Sequence, residues 1–325
     1  MIRFFKSLQS ATLFMIPVIV FLLWAQAFFS HSFIVRETGM PVQKMLMDMV
    51  TALPVFMQVL LAIALISLEA IYLSIIVNRH EVLYKNSYLP ALMYGLLMSL
   101  AWPLIQFHPV IFTNLVLLLT LDKIFSLFKN ESPASPLFNG AFLISLASLT
   151  YFPAIILFIL FLMALAILRR FNFREWTIAF IGFFLPYFFL SVYFFWTDQL
   201  ITGWKTILVN FIPTTSRFGF SIGKPLLALL IMLGILFLIS INRLRRNFYK
   251  NVIRTRTNQQ IMLWYFILAA VSCLLLKIIP LYHMMLLSIP LAVFFSYYFL
   301  AEKRRPLLSE LILWFTIGLI IWNHV

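Results

Sequence analysis

Apolar residues along this chain form long runs that short charged segments separate. Almost all of the runs are 16 to 24 residues long, which is the length that an α-helix needs to cross a hydrocarbon core about 30 Å thick. The pattern predicts an all-α fold, a polytopic transmembrane helical bundle that forms one integral membrane domain over residues 1–325. The predicted spans, about eleven in number, are 11–29, 54–77, 88–106, 109–128, 137–151, 153–168, 175–196, 225–241, 261–279, 281–300 and 307–322.

Two of these segments, 137–151 and 153–168, are short and adjoin each other. Only Tyr151-Phe152-Pro153 separates them, and a proline ends or bends a helix because it lacks the backbone N–H. The pair therefore forms either a tight hairpin of two spans or a re-entrant unit.

The basic residues orient the bundle, because Lys and Arg concentrate in the cytoplasmic loops of membrane proteins. With eleven spans and a cytoplasmic N-terminus, eighteen of the 24 Lys and Arg residues lie in cytoplasmic segments. Five lie outside and Lys277 lies inside a span. We therefore predict a cytoplasmic N-terminus, and we interpret residues 11–29 as an uncleaved anchor, although this run imitates a signal peptide.

Composition and charge exclude several classes of protein. The chain is 63% hydrophobic and only 10% charged, which excludes a water-soluble fold. The net charge of +14 resides in short loops without interleaved aromatic residues, so we predict no nucleic-acid partner. The densest basic run, residues 242–256, has six cations and no acid. It is interpreted as a topology signal, or alternatively as a contact for anionic lipid or a protein partner.

The first long outer loop contains a predicted amphipathic helix at residues 41–53. Pro41 suits a first helical turn, and Val42, Leu46, Met49, Val50 and Leu53 recur at helical spacing. Lys44, Asp48 and Thr51 line the opposite face. We expect this helix to lie flat on the outer membrane surface.

An outer acid soon after the first span, followed by an interfacial helix, resembles the integral-membrane glycosyltransferases that use lipid-phosphate sugar donors. The resemblance implies that Glu37 or Asp48 is the catalytic carboxylate. It also implies that a lipid-phosphate sugar is the donor, that membrane lipid is a partner, and that the donor phosphate is bound by Arg36, Lys205, Arg217 and Lys224. This chain has Arg36-Glu37 where that superfamily usually has two neighbouring carboxylates.

A second resemblance covers most of the chain. It rests on Asn78-Arg79-His80 to Pro90, His108-Pro109, Leu137 to Gly140, Tyr151-Phe152-Pro153 and Arg174-Glu175-Trp176. These stretches are similar to an uncharacterised family of bacterial polytopic inner-membrane proteins. The resemblance implies a multi-pass protein of the bacterial inner membrane and no particular activity.

Three further ionisable residues are candidates for function. Glu69 and Lys277 fall inside predicted spans, where charge is costly and is usually functional. Glu69 is either functional or paired with Asn114 or Tyr72, and Lys277 is expected to extend outward to the membrane surface. His108 either exchanges protons and binds phosphate or forms part of a helix-capping turn.

The sequence contains no zinc-type histidine spacing, nucleophile elbow, P-loop or dinucleotide fingerprint. We therefore predict no metal site, and the sequence indicates no cofactor. Three functions stay open: a lipid-linked transferase of the cell envelope, which the outer loop favours; a non-catalytic scaffold of an envelope assembly machine; and a transporter or flippase, which the lack of visible internal repeats disfavours.

Overall fold

The computed structural model describes residues 1–7, 9–29, 40–211, 217–219, 223–276, 278–302 and 306–324, and they are almost entirely helical. The helices are α1 (Ile2–Phe5), α2 (Ser10–Trp24), α3 (Pro41–Thr51), α4 (Val55–Arg79), α5 (Leu89–Leu97), α6 (Pro109–Ser126), α7 (Ala134–Thr150), α8 (Leu157–Leu168), α9 (Phe173–Trp196), α10 (Leu200–Phe211), α11 (Lys224–Asn247), α12 (Ile253–Val271), α13 (Ser288–Ala301) and α14 (Pro306–His324). Two short strands, β1 (Arg217–Phe218) and β2 (Ile278–Ile279), pair in parallel.

Eight helical segments within the described ranges are long and apolar enough to cross a membrane. They are Thr12–Phe29, Val55–Arg79, Pro109–Ser126, Phe173–Trp196, Lys224–Lys250, Ile253–Leu275, Leu281–Ala301 and Leu307–His324. This confirms the prediction of a membrane-spanning helical protein. Three predicted spans are shorter: α5, α7, and the segment Phe152–Leu168 that contains α8.

The predicted span 88–106 is wrong as a single helix. α5 ends at Leu97, and a 3-10 turn at Trp102–Leu104 contains Pro103. Proline cannot continue an α-helix, because its nitrogen has no proton to donate and its ring clashes with the preceding turn. The irregular stretch after α5 is largely buried, since its buried residues include Met98, Ser99, Ala101, Leu104, Ile105 and Phe107, so this backbone lies against protein.

The predicted span 261–279 also differs from the structure. α12 begins at Ile253, eight residues earlier than predicted, and ends at Val271. Its first turns carry polar side chains that bind the loop between α4 and α5: Thr255 donates to Glu81 O and Asn258 donates to His80 O. A hydropathy pattern misses these turns because their polar groups face protein.

Each of the two long loops that are predicted to lie outside contains a helix. α3 lies within the segment predicted to form an interfacial helix, and it exposes Lys44 and Asp48 while burying Met47 and Val50. Its placement relative to a membrane stays a prediction. The sequence analysis missed α10, which packs against the end of α9 through Trp204 and Phe194, whose ring centroids are 6.0 Å apart.

Helix α7 packs closely between α6 and α9, and two glycines make this approach possible. A Cβ atom at Gly182 of α9 would lie 2.6 Å from the backbone oxygen of Phe138, and one at Gly140 of α7 would lie 2.6 Å from the ring of Phe161. Real Cβ atoms do not approach other atoms so closely, so a side chain at Gly182 would force the helices apart, and one at Gly140 would force the Phe161 ring of α8 to move.

Contacts between the connections define one end of the bundle, which we call the Lys85 end. There the Met1 amine lies 3.7 Å from Glu310, the Tyr88 N–H donates to Phe5 O at 3.0 Å, and Arg243 pairs with Glu302. Arg254 joins the loop after α4 through Glu81. Arg169, at the end of α8, donates to Asn130 O ahead of α7, so α7 and α8 form a hairpin that opens at this end.

The opposite end, which we call the His283 end, contains three short connections. They are the segments around His108, Tyr151 and Tyr282-His283, and their aromatic rings contact one another. Tyr151 is the tip of the α7–α8 hairpin. The hairpin therefore extends from one end of the bundle to the other.

Candidate functional site

A buried polar network joins four helices in the middle of the bundle. The Tyr94 hydroxyl of α5 donates to Glu69 Oε2 of α4 at 2.7 Å. Asn114 Nδ2 of α6 donates to the Tyr94 oxygen at 3.1 Å and to Met285 O at 3.1 Å. Ser288 of α13 lies 3.4 Å from the same nitrogen. Glu69 is wholly buried, so its carboxyl group is held by protein and not by solvent.

Two oxygen atoms of this network have no hydrogen-bond partner among the described residues: Glu69 Oε1 and Asn114 Oδ1. Buried polar atoms in proteins are nearly always bonded, and exceptions often mark functional positions. A carboxyl group that takes up a proton gains a donor, and one that loses it gains an acceptor. Glu69 is therefore placed where binding and release of a proton would change the network.

The sequence analysis identified Glu69 and one of its neighbours. Asn114 belongs to the network, but it reaches Glu69 through Tyr94, and Tyr72 does not form a hydrogen bond with Glu69 in the structure. The sequence analysis missed Tyr94 because it lies 25 residues after Glu69, and this separation matches no helical or strand period.

An apolar groove of about 200 Å³ lies beside this network. It is lined by the end of α5 and by α11, α12, the 3-10 segment Leu281–Leu287 and α13, through side chains that include Leu97, Leu233, Phe237, Phe266, Leu287 and Leu291. Ser288 is the one polar side chain among the lining residues, and it also contacts Asn114. The groove thus leads from the surface of the bundle to the polar network.

The groove lies in the half of the bundle nearer the His283 end. Met284 and Leu287, which line it, follow His283 directly, and Leu230 and Gly234 come from the first half of α11. Gly234 faces open space, since a Cβ atom there would have no neighbour within 4 Å. A hydrocarbon chain is the ligand that such a lining fits.

His283 is fully hydrogen-bonded at the centre of the His283 end. Its Nδ1 lies 2.8 Å from the Tyr151 hydroxyl and its Nε2 lies 3.1 Å from the Ser272 hydroxyl. Ser272 also donates to Ala269 O at 2.6 Å. A serine whose proton is already given to a carbonyl is not activated by the histidine, so this trio joins three connections and is not a nucleophilic triad.

His108 is buried and stacks on the ring of Tyr282, with the ring centroids 5.3 Å apart. Burial lowers the pKa of His108 to about 3, so the imidazole is neutral near pH 7. The hypothesis that a charged His108 binds phosphate does not fit this position. The capping alternative is confirmed for the backbone: His108 is the N-cap residue of α6, and its carbonyl oxygen accepts from the Ile111 N–H at 3.1 Å, whereas its side chain forms no cap hydrogen bond.

The residues predicted to form the transferase site lie in several places. Asp48 and Lys44 are exposed on α3, Lys205 is exposed on α10, and Lys224 is the exposed first residue of α11. Within the described part of the chain, neither Lys205 nor Lys224 forms an ion pair with Asp48. Arg217 belongs to β1, but its side chain lies outside the described part.

Arg36, Glu37 and Lys277 lie outside the described residues, so their predicted roles stay predictions. The structure brings none of the other predicted transferase residues to the groove, which α3 does not line. No group of three or more His, Cys, Asp or Glu side chains able to hold a metal ion occurs among the residues that the structure describes.

Comparisons with known proteins give no relative: no family model matches the chain, and no characterised protein or solved structure is significantly similar to it.

Proposed function

We propose that this chain is a lipid-linked, glycosyltransferase-like transferase of the bacterial inner membrane and cell envelope, with eleven spans, a cytoplasmic N-terminus and its reaction at the outer leaflet. The observation that carries the proposal is the apolar groove beside Ser288. An enzyme that acts on a lipid-linked donor must hold a hydrocarbon chain beside the bundle, and this groove has the lining to do so.

The proposed topology has support from the contacts between loops. Segments that the positive-inside pattern assigns to the cytoplasm, such as those at Lys6, Arg79, Arg169 and Arg254, come together at the Lys85 end. In this topology the groove lies in the outer half of the membrane. The similarity to an uncharacterised inner-membrane family belongs to the same proposal.

Asp48 and Glu37 are the proposed catalytic carboxylates. Asp48 is exposed on α3, so its carboxylate is accessible to a substrate from outside the bundle. Arg36, Lys205, Arg217 and Lys224 are the proposed phosphate ligands.

Transfer of sugar from a radiolabelled isoprenyl-phosphate sugar in proteoliposomes tests the proposal. We expect the wild type to release sugar from the donor, and Asp48→Asn or Glu37→Gln to abolish the release. Gly234→Phe places a ring in the groove and should also abolish it. Gly318→Phe on α14 is the matched control, since Gly318 also faces open space, and it should stay active. Equal activity of Gly234→Phe and Gly318→Phe would contradict the proposal.

A transporter or flippase is the second candidate, and the Glu69 network favours it. Glu69 is a buried acid with an unbonded oxygen, next to the interrupted helix α5 and the 3-10 segment Leu281–Leu287. Acids in such places serve as proton relays in transporters. Proton flux is measured in proteoliposomes that contain the wild type or Glu69→Gln. Flux in the wild type that is lost in the variant would favour this candidate. If neither transfer nor flux is measurable, the scaffold becomes the leading interpretation.

A further inference from the structure

A polar cavity of about 530 Å³ lies at the Lys85 end, between the loop that joins α4 to α5 and the start of α12. Its lining includes Glu81, Lys85, Asn86, Lys250, Asn251 and Thr255. A volume of this size falls in the range of small-molecule sites. It is separate from the groove beside Ser288, which different residues line.

The loop on one side of the cavity is fixed by its own hydrogen bonds. Asn78 and Ser87 close it with two bonds, from Asn78 Nδ2 to Ser87 O at 3.2 Å and from the Ser87 N–H to Asn78 Oδ1 at 3.1 Å. Glu81 has a φ of 54°, an uncommon conformation for a residue other than glycine. These features shape the loop whether or not a ligand is present.

Side chains of α12 hold the same loop against the other wall. The Thr255 hydroxyl donates to Glu81 O at 2.7 Å, and Gln259 Nε2 donates to Val82 O at 3.1 Å. Asn258 donates to His80 O at 2.8 Å. These hydrogen bonds join residues more than 170 positions apart in the chain. Because the two walls are already ordered, binding of a ligand would lose little conformational entropy there.

Lys85 and Lys250 face the cavity from opposite segments, and neither forms an ion pair in the described structure. Lys6 does not line the cavity, but it lies close enough to Lys85 for their charges to interact: burial lowers the pKa of Lys6, the charge of Lys85 lowers it further, and Glu302 partly opposes this effect. An anion bound beside Lys85 would offset the repulsion between this lysine and Lys6.

The acids close to these lysines already have other partners. Glu81, which lines the cavity, lies 3.6 Å from Arg254, Glu302 pairs with Arg243, and Glu310 lies 3.7 Å from the Met1 amine. Positive charge therefore remains at the cavity. The first turn of α12, which has no acidic residue and no side-chain cap, adds to it.

We propose that this cavity binds a phosphate-bearing anion, with Lys85 and Lys250 as the charged ligands and Asn86 as a hydrogen-bond donor. Lysine ammonium groups bind phosphate as point charges, and a neutral amide adds direction. The phosphate belongs either to the headgroup of an anionic lipid or to a soluble phosphorylated molecule, and the chemistry of the site is the same for both.

The test compares Lys85→Ala/Lys250→Ala with Arg245→Ala/Arg246→Ala. The control pair removes the same charge from exposed positions in the last turn of α11 that do not line the cavity. One arm measures retention of dioleoyl phosphatidylglycerol against dioleoyl phosphatidylcholine by native mass spectrometry of the full chain. The other arm measures binding of glycerol 3-phosphate by calorimetry in detergent.

Each cation contributes about 1 kcal/mol, and about 1.4 kcal/mol corresponds to a tenfold change in affinity. We therefore expect Lys85→Ala/Lys250→Ala to bind about 30-fold more weakly in at least one arm. The control variant should lose less than threefold. A loss for phosphatidylglycerol alone identifies a headgroup site, and a loss for glycerol 3-phosphate alone identifies a soluble ligand. Equal losses in the two variants, or none in either, would overturn the proposal.

The result is independent of the proposed transferase function. Gly234→Phe leaves this cavity unchanged, so it should bind both probes like the wild type even if it loses transfer activity. Because Lys85 and Lys250 are exposed, their removal should also leave the unfolding temperature within about 2 °C of the wild type, in keeping with the small effect of surface substitutions.

Discussion

Replacing Glu175 by alanine should destabilise the bundle more than any comparable change of an exposed acid. Arg169 donates to both carboxylate oxygens of Glu175, from Nε at 2.8 Å and from an Nη atom at 2.9 Å. The same guanidinium donates to Asn130 O at 2.6 Å, so one arginine joins the connections before α7, after α8 and before α9. The geometry is bidentate, which is the strongest form of this pair.

The magnitude follows from the burial of the two side chains, which are 20% and 10% exposed. Breaking a fully buried pair costs about 3 to 5 kcal/mol, whereas an exposed pair contributes about 0 to 1 kcal/mol. Because Arg169 keeps its bond to Asn130 O and some access to water, we expect Glu175→Ala to cost about 2 kcal/mol.

Reversible unfolding in mixed detergent micelles measures this cost, and Glu131→Ala is the control, since Glu131 is exposed in the connection before α7. A double-mutant cycle with Arg169→Met should return a coupling energy of about 1 to 2 kcal/mol. If Glu175→Ala is no more destabilising than Glu131→Ala, the reasoning about this pair is refuted.

Four further predictions follow. Gly182→Ala should cost about 1 to 3 kcal/mol in the same unfolding assay because its Cβ would meet the Phe138 carbonyl, whereas Gly318→Ala should be neutral or stabilising by about 0.5 kcal/mol. Tyr94→Phe should cost about 1 to 2 kcal/mol because it leaves the Glu69 carboxyl group without its donor. The pKa of His108 is lowered from 6.5 to about 3, so below about pH 6.5 the unfolded state takes up a proton that the folded state does not. The free energy of unfolding should therefore fall as the pH falls below about 6.5. His108→Phe should lose less stability over the same range. A cysteine at Asn251 should react with a membrane-impermeant reagent only in opened cells.

Hydropathy predicted the long helices well, because a helix in lipid must be apolar along its whole length. It failed where backbone or polar groups face protein. The break after Leu97 depends on Pro103 and on burial against neighbouring helices, and the early start of α12 depends on bonds between its polar side chains and the α4–α5 loop. The early start of α12 requires tertiary contacts that no local pattern contains, whereas Pro103 is a local signal that hydropathy alone overlooks.

The candidate site was less predictable than the fold. Glu69 stood out because an acid within a span is rare, but its partner Tyr94 and the groove beside Ser288 arise from packing between distant helices. Likewise Lys85 and Lys250 belong to different loops, and only the fold brings them to one cavity. The sequence directed attention to Glu37 and Asp48, and their catalytic role stays a prediction.

Native mass spectrometry of the purified protein, released from micelles with its bound lipids, tests the groove most directly. The groove of about 200 Å³ is little larger than an engineered cavity of about 150 Å³ that holds a benzene molecule, so the ring of Gly234→Phe should fill most of it. We predict that the wild type and Gly318→Phe retain one long-chain lipid and that Gly234→Phe loses it. Equal retention by all three proteins would contradict the claim that the groove binds a lipid chain.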